Sequence, residues 1–367
     1  MTSIILLFLF IMVPVFIITM LTPYLTRKTE SFGVSISEEI YHSMEMKQTR
    51  KKYALSMGFV SILATIALIG IGVRLDNENA LSILLAFISF TYLLISFFFY
   101  LYFHRQIKQR KQDEQWVTNK KQQLSLNLHF RDQKLAFSNL WFIPSFLVAF
   151  ITAGLSIRFY EDLPSSIPMQ YDFSGNVTNW ADKSYGVMLL MPIMQIFLTG
   201  LFLFINTIIT KAKQQIDADN PEESAMQNRI FRRRWSAFIV ITSLGLVLMF
   251  SFIQFSFFQP VDTELLVSIP LILSGAIIIT TMILSITTGQ GGSRVKKKSS
   301  SGSDVIDRDD DRYWKLGQFY FNKNDPAVFL EKRFGIGWTT NFARPLTWVI
   351  LLGIIALAAG LPLLLTM

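Results

Sequence analysis

Cysteine is absent from this 367-residue chain, and only three histidines occur in it. The first absence excludes disulfides, thiolate metal sites and cysteine nucleophiles. His42, His104 and His129 stand far apart, and no His-Glu-x-x-His pair or other metal-ligand spacing exists. Charge is missing wherever the chain is most apolar. Ser3–Leu25, Ala54–Val73, Ala80–Phe103, Leu135–Ile157, Val187–Ile209, Trp235–Phe258, Leu265–Thr288 and Pro345–Thr366 contain no Asp, Glu, Lys, Arg or His. Ionisable side chains inside a bilayer usually mark ion pathways, proton relays or catalysis. These stretches offer none.

What remains in them is length. Each has at least 20 residues, enough for a helix to cross the hydrocarbon core. A spanning chain must satisfy its own backbone hydrogen bonds, so the stretches are expected to be helices. The other half of the chain is cut into short connections, with no room for an independent soluble domain. The expected fold class is an all-α polytopic membrane protein with eight transmembrane helices. A short cytoplasmic amphipathic or α+β insert precedes the last helix.

The net charge of +8 is unevenly placed. Connections 26–53, 104–134, 210–234 and 289–344 carry 31 of the 34 Lys and Arg residues; 74–79, 158–186 and 259–264 carry the other three. The positive-inside rule puts the four basic connections in the cytoplasm and both termini outside. Nucleic acid is therefore not an expected partner, since the basic residues track one membrane face. The first stretch lacks a basic n-region and is too long for a signal h-region, so it is expected to remain as a span.

The chain divides into three spans with basic loops (1–134), a two-span unit with outer loop 158–186 (135–209), two further spans (210–288), a flexible charged linker (289–312), a cytoplasmic membrane-surface module (313–344) and the last span (345–367). Ser35-x-x-Glu38 has the form of a capping box, and Ile36, Ile40 and Met44 give the following helix an apolar face suited to the inner membrane surface. Leu124–Phe130 alternates apolar and polar residues as a strand or surface segment would. Gly289–Ser303, with its lysine triplet Lys296–Lys298, has linker composition. Within the spans, Ala149/Ala153 and Ala356/Gly360 are spaced for close helix approach, Gln195, Asn206 and Gln254 for interhelical hydrogen bonds, and Pro14, Pro144, Pro192 and Pro270 for kinks.

Two segments outside the spans are candidates for function. The first is the outer loop Arg158–Gly186. Leu163, Pro164, Ile167, Pro168, Gln170, Asp172, Gly175 and Trp180 form its candidate recognition surface: two prolines four apart stiffen the loop, and Ser174-Gly175-Asn176 suits a turn. The pattern Leu-Pro-x-x-Ile-Pro followed by Gly, carried by Leu163, Pro164, Ile167, Pro168 and Gly175, resembles a small domain of unknown function in bacterial membrane proteins of the SdpI type. That resemblance implies a role in immunity or signalling. Eight outer acids against three bases would mildly attract a cationic peptide.

The second segment is Tyr313–Arg344. Its candidate partner or headgroup residues are Trp314, Gly317, Tyr320, Asn322, Asp325, Arg333, Gly335, Gly337, Trp338 and Asn341. Trp314–Asn322 reads as a short strand, and Asp325 as the N-cap of a helix over Pro326–Phe334 that Gly335 ends. Gly335-x-Gly337 beside Lys332 and Arg333 suggests a phosphate cradle, but a membrane-surface element with turns at both glycines is the simpler reading. The Trp-x-x-Gly-x-x-Tyr-x-Asn-x-x-Asp-Pro start and Arg-x-Gly-x-Gly-Trp-Thr-x-Asn end resemble an uncharacterised bacterial module, which implies no reaction.

The expected protein is thus an integral component of the bacterial cytoplasmic membrane that senses, or confers immunity to, a secreted peptide or envelope stress. No catalytic residue, metal or cofactor is expected. The lipid bilayer is its first partner, with a secreted peptide or toxin outside and a regulatory protein inside. A permease using Gln195, Asn206 and Gln254, and a lipid-modifying enzyme using external or cytoplasmic acids that converge at a headgroup-level pocket, are the alternatives.

Overall fold

The computed structural model describes residues 2–75, 78–116, 134–172, 175–215, 221–295 and 311–366. In chain order the helices are α1 (Thr2–Leu25), α2 (Glu38–His42), α3 (Met44–Gly72), α4 (Glu78–Asp113), α5 (Ile143–Arg158), α6 (Tyr185–Lys211), α7 (Pro221–Phe255), α8 (Thr263–Thr288) and α9 (Pro345–Thr366). Four two-stranded antiparallel hairpins complete the fold: β1 (Glu30–Ser31) with β2 (Val34–Ser35), β3 (Ser166–Tyr171) with β4 (Val177–Asp182), β5 (Trp314–Lys315) with β6 (Phe319–Tyr320), and β7 (Phe329–Glu331) with β8 (Trp338–Thr340).

Seven helices among the described residues are long and apolar enough to cross a membrane, and α9 adds a shorter apolar stretch over Pro345–Gly360. Large apolar side chains such as Phe59, Ile83, Phe87, Ile241 and Ile272 are more than half exposed on these helices. So large an apolar surface marks a membrane contact. The chain is a helix-rich, multi-pass type of membrane protein.

The residues form two compact units, neither continuous in sequence. One comprises Met1–Gln133, Ala212–Phe231 and Thr281–Ala343. In it α1, α3 and α4 pack together around Phe8, Phe16, Tyr53, Met57 and Tyr92. The Thr19 hydroxyl lies 2.5 Å from the Tyr92 hydroxyl, and Ser61 Oγ donates to the same oxygen at 3.3 Å. The β1–β2 turn puts Phe32 and Gly33 at positive φ. That leaves the Phe32 ring fully buried between Tyr53, Phe103 and Phe334, with centroids 5.3–5.6 Å away.

The second unit comprises Lys134–Lys211, Arg232–Thr280 and Arg344–Met367. Here α6 packs against both α5 and α9. Asn206 of α6 is fully buried and fully paired: its Nδ2 donates to Phe137 O (2.9 Å) and Asn139 Oδ1 (2.8 Å), while its Oδ1 accepts from Ser236 Oγ (2.6 Å).

Several local expectations change. Ser37 caps α2, and Ser43 then caps α3; Ser35 instead lies in β2. Ile36 faces the core rather than a membrane surface. Pro144 does not kink a helix. Asn139–Phe142 forms a 3-10 turn and Pro144 occupies the first turn of α5, where its missing N–H costs nothing. The Ala149/Ala153 pair faces inward at Ala149, whereas Ala356 is exposed and a Cβ on Gly360 would meet nothing within 4 Å. Leu124–Phe130 and Lys296–Lys298 lie outside the described residues. Gly289–Val295, at the start of the expected linker, is folded: Gln290 is fully buried and its Nε2 donates to Gly337 O at 2.9 Å.

Candidate functional site

The outer-loop candidates form the β3–β4 hairpin. Ile167 pairs with Ala181 and Pro168 with Trp180, and the register shifts between Pro168 and Gln170. One face is anchored: Leu163 and Ile167 are buried with Val187, Met188 and Phe257. Lys183 closes the base by donating from Nζ to Glu161 O (3.0 Å) and Leu163 O (3.1 Å), above the Tyr160 ring. At the tip the Asp172 carboxylate accepts from Asn176 N at 2.8 Å and Asn176 Nδ2 at 3.0 Å. Gly175 has φ +83°, and a Cβ there would lie 2.8 Å from Thr263 Oγ1, so the turn excludes other residues.

Other positions of the hairpin are open: Gln170, Thr178, Asn179 and Trp180 are exposed, with Trp180 at 56 %, and Pro164 is exposed at the hairpin base. The hairpin therefore presents an aromatic ring beside amide and hydroxyl groups, which is the chemistry of a binding surface. Glu161, Asp162 and Asp182 are exposed beside it, each solvated rather than converging on a pocket.

The second candidate set has a different geometry. Trp314, Gly317, Tyr320, Asp325, Arg333 and Asn341 are buried. Trp314 lies within the β5–β6 hairpin, and Leu316 and Gly317 turn the chain at positive φ where one continuous strand was expected. The helix expected over Pro326–Phe334 is absent: Phe329–Glu331 is strand β7, paired with β8. Asp325 Oδ1 does accept from Ala327 N at 3.0 Å, like an N-cap. Gly335 and Gly337, both at positive φ, then let the chain fold back so that backbone pairing with Trp338–Thr340 replaces the helix.

Polar side chains hold these hairpins together. Asn341 Nδ2 donates to Asn322 O (2.8 Å), Asp325 O (3.2 Å) and Ala327 O (3.3 Å), and its Oδ1 accepts from Asn322 N (3.1 Å) and Ala343 N (3.2 Å). Tyr320 OH donates to Asp325 Oδ2 at 2.8 Å, and Lys213 Nζ lies 2.5 Å from the same oxygen. Burial opposes ionisation of Asp325, but the hydrogen bonds from Lys213, Ala327 N and Tyr320 prevail and lower its pKa.

Arg333 lies 5.0 Å from the Trp314 ring centre and pairs with Asp311 and with Glu30. Asp311 also accepts from Lys111 Nζ (2.7 Å) and Ser35 N (3.1 Å). Burial would raise the Asp311 carboxyl, yet Arg333 and Lys111 outweigh it and hold its pKa at about 2. A parallel cluster joins Glu331 to Arg27 and to Asn228 Nδ2 (2.8 Å). The phosphate cradle suggested by Gly335-x-Gly337 is already occupied by the protein. Gly337 N donates to Gln290 Oε1 at 2.7 Å, and the Arg333 guanidinium is committed to Asp311.

Sequence reasoning missed Lys111, Lys213, Asn228, Gln290, Asp311 and Glu331. Four of the six are charged residues of the connections, and nothing in their spacing distinguishes them from solvated neighbours. The exposed surface of this module is carried by Lys315, Leu316, Phe319, Phe321 and Lys323, a mixed basic and apolar edge.

Two of the three intramembrane amides lie apart. Asn206 and Gln195 lie eleven residues apart on α6, about 16 Å along the axis, and have separate partners. Gln195 Nε2 donates to Val247 O (2.9 Å) and Ser251 Oγ (2.8 Å).

Residues 147–196, which span most of α5, the β3–β4 hairpin and the first half of α6, match a domain of unknown function, DUF1648. Residues 323–348 match a family of unknown function, DUF5808. No curated protein and no solved structure matches the chain. Both matched domains, together with the apolar helices, fit a multi-pass membrane protein.

Proposed function

We propose that the protein is a cell-envelope receptor of the bacterial cytoplasmic membrane, binding a secreted peptide or an envelope-stress signal and conferring immunity or a response without catalysis. In this reading α9 is the eighth span, both termini lie outside, and the β3–β4 hairpin faces the exterior. The observation that carries it is the hairpin itself: pinned by Leu163 and Ile167, it leaves Gln170, Thr178, Asn179 and Trp180 exposed. Exposed acids beside them favour a cationic ligand. On the cytoplasmic side, Lys315, Leu316, Phe319, Phe321 and Lys323 form an edge suited to anionic headgroups or a regulatory protein.

The test is a deletion strain challenged with a panel of secreted cationic peptides and membrane-active antibiotics. Increased sensitivity to at least one peptide, restored by the wild-type gene and not by Trp180→Ala, is expected. Unchanged sensitivity across the panel would reject the proposal.

A further inference from the structure

The β5–β6 hairpin has two unlike faces. Trp314 pairs with Tyr320 and Lys315 with Phe319, and Phe321 N donates to Tyr313 O at 2.8 Å. Side chains alternate along a strand, so Trp314 and Tyr320 share one face while Lys315, Phe319 and Phe321 share the other. The first face is buried against Leu330. The second is open: Phe319 and Phe321 are each 41 % exposed, and Lys315 is exposed opposite Phe319. At the tip Leu316 has φ +54°, uncommon for a bulky residue, and is 44 % exposed.

The depth of this face follows from what lies behind it. Tyr100 OH donates to Leu316 O at 2.8 Å, and a Cβ on Gly317 would lie 2.7 Å from His104 Cε1. Tyr100 belongs to the last turn of the uncharged stretch Ala80–Phe103, and His104 is the first ionisable residue after it. Gly335 likewise approaches α1: a Cβ there would lie 3.9 Å from Thr22 Cγ2, near the end of the stretch Ser3–Leu25. A helix rises about 1.5 Å per residue, so both contacts fall within about 5 Å of where the uncharged stretches end. That is headgroup level. The charges are sorted to match. All three carboxylates of 311–343 are engaged within the protein: Asp311 with Arg333 and Lys111, Asp325 with Lys213, and Glu331 with Arg27. Arg312, Lys315 and Lys323 are exposed, and among the described residues none of them pairs with a carboxylate.

We propose that this face is a binding site for anionic phospholipid of the adjoining leaflet. Leu316, Phe319 and Phe321 enter the interfacial zone, and Arg312, Lys315 and Lys323 meet the headgroup phosphates. Apolar side chains flanked by cations hold a segment in the plane of a negatively charged interface. A choline headgroup offers the same phosphate with a compensating ammonium, so a headgroup of net negative charge, such as phosphatidylglycerol, is preferred. The site narrows the module edge already proposed for headgroups or a regulatory protein, and it rests on that reading for its leaflet. The peptide-sensitivity test reads the outer hairpin, so either proposal can fail without the other.

The experiment uses full-length protein in phosphatidylcholine nanodiscs containing a minor fraction of chain-spin-labelled phosphatidylglycerol or, in parallel, of phosphatidylcholine with the same label. Leu316→Cys supplies the chain with its one thiol, which carries a bimane fluorophore that the spin label quenches. Phosphatidylglycerol should quench about threefold more steeply than phosphatidylcholine. Lys315→Glu with Lys323→Glu should make the two lipids equal. Lys51→Glu with Lys52→Glu, exposed on α3 just before its uncharged stretch, should leave the difference in place. Phe319→Ser with Phe321→Ser should weaken quenching by both lipids. Every substituted position is exposed, so the fold is not at stake. Equal quenching by the two lipids before charge reversal overturns the site, as does an equal loss of the difference from the α3 pair, which would assign it to the whole basic rim. Quenching by neither lipid would put the face in water, open to a protein partner, and also overturns it.

Discussion

The Asn341 amide and the Asn322 backbone satisfy each other reciprocally: Nδ2 donates to Asn322 O at 2.8 Å, and Oδ1 accepts from Asn322 N at 3.1 Å. One fully buried side chain thereby joins the end of β8 to the chain leaving β6. Asn341→Ala strands three carbonyls and two amides, so it should cost about 2–4 kcal/mol. Asn341→Asp should cost at least as much, since a buried carboxylate oxygen would replace the donor and face the three carbonyl oxygens. Thermal unfolding in detergent and limited proteolysis across 311–343 measure both. Equal melting temperatures for wild type and Asn341→Ala would refute the keystone role.

Asp311 makes the 311–343 module acid-sensitive. Its folded pKa of about 2 lies below the ordinary value of 3.8. The stabilisation it provides is therefore complete above about pH 4 and is lost as pH falls from there through 2. Asp311→Asn should lower the melting temperature at pH 7, since it removes the nearer of the two carboxylates that face the buried Arg333 charge and leaves Glu30, at a cost of roughly 1–3 kcal/mol. It should also flatten the pH dependence below 4. An unaltered acid limb in the variant would show that other carboxylates dominate.

Gly317 and Gly337 both sit at positive φ, but their surroundings differ. A Cβ on Gly317 would lie 2.5 Å from Tyr100 OH and 2.7 Å from His104 Cε1, whereas one on Gly337 would meet nothing within 4 Å. Gly337→Ala should cost about 1 kcal/mol, from backbone conformation alone. Gly317→Ala adds a steric clash and should exceed about 3 kcal/mol or prevent folding. The order of the two melting temperatures is the check; the reverse order would contradict this packing.

The absence of cysteine makes single introduced thiols unambiguous reporters. Thr178→Cys, at an exposed hairpin position, should react with a membrane-impermeant maleimide in intact spheroplasts. Lys323→Cys should react only after permeabilisation. Labelling of Lys323→Cys in sealed cells would reverse the proposed orientation.

Much of this protein was legible before its structure. Runs of twenty or more uncharged apolar residues read as membrane helices because no other short-range arrangement satisfies a backbone in lipid. The hairpin turn at Gly175 and the turns at Gly335 and Gly337 were visible for a similarly local reason, the freedom of glycine at positive φ. The strand β7 was not. An Asp-Pro start and a Gly stop describe a helix and a hairpin equally well, and pairing with Trp338–Thr340 decides between them.

Charge and amides separate the two levels most clearly. Composition alone determined that the bilayer interior holds no ionisable group and that basic residues gather on alternate connections, because both are sums over sequence. Which charges are buried is a pairwise matter. Asp311 meets Lys111, two hundred residues earlier, and Lys213 meets Asp325 only because distant segments fold together. The same holds within the spans, where Asn206 and Gln254 read alike as interhelical hydrogen-bonding groups. Only tertiary packing surrounds Asn206 with partners and buries the Gln254 amide with no hydrogen-bond partner among the described residues.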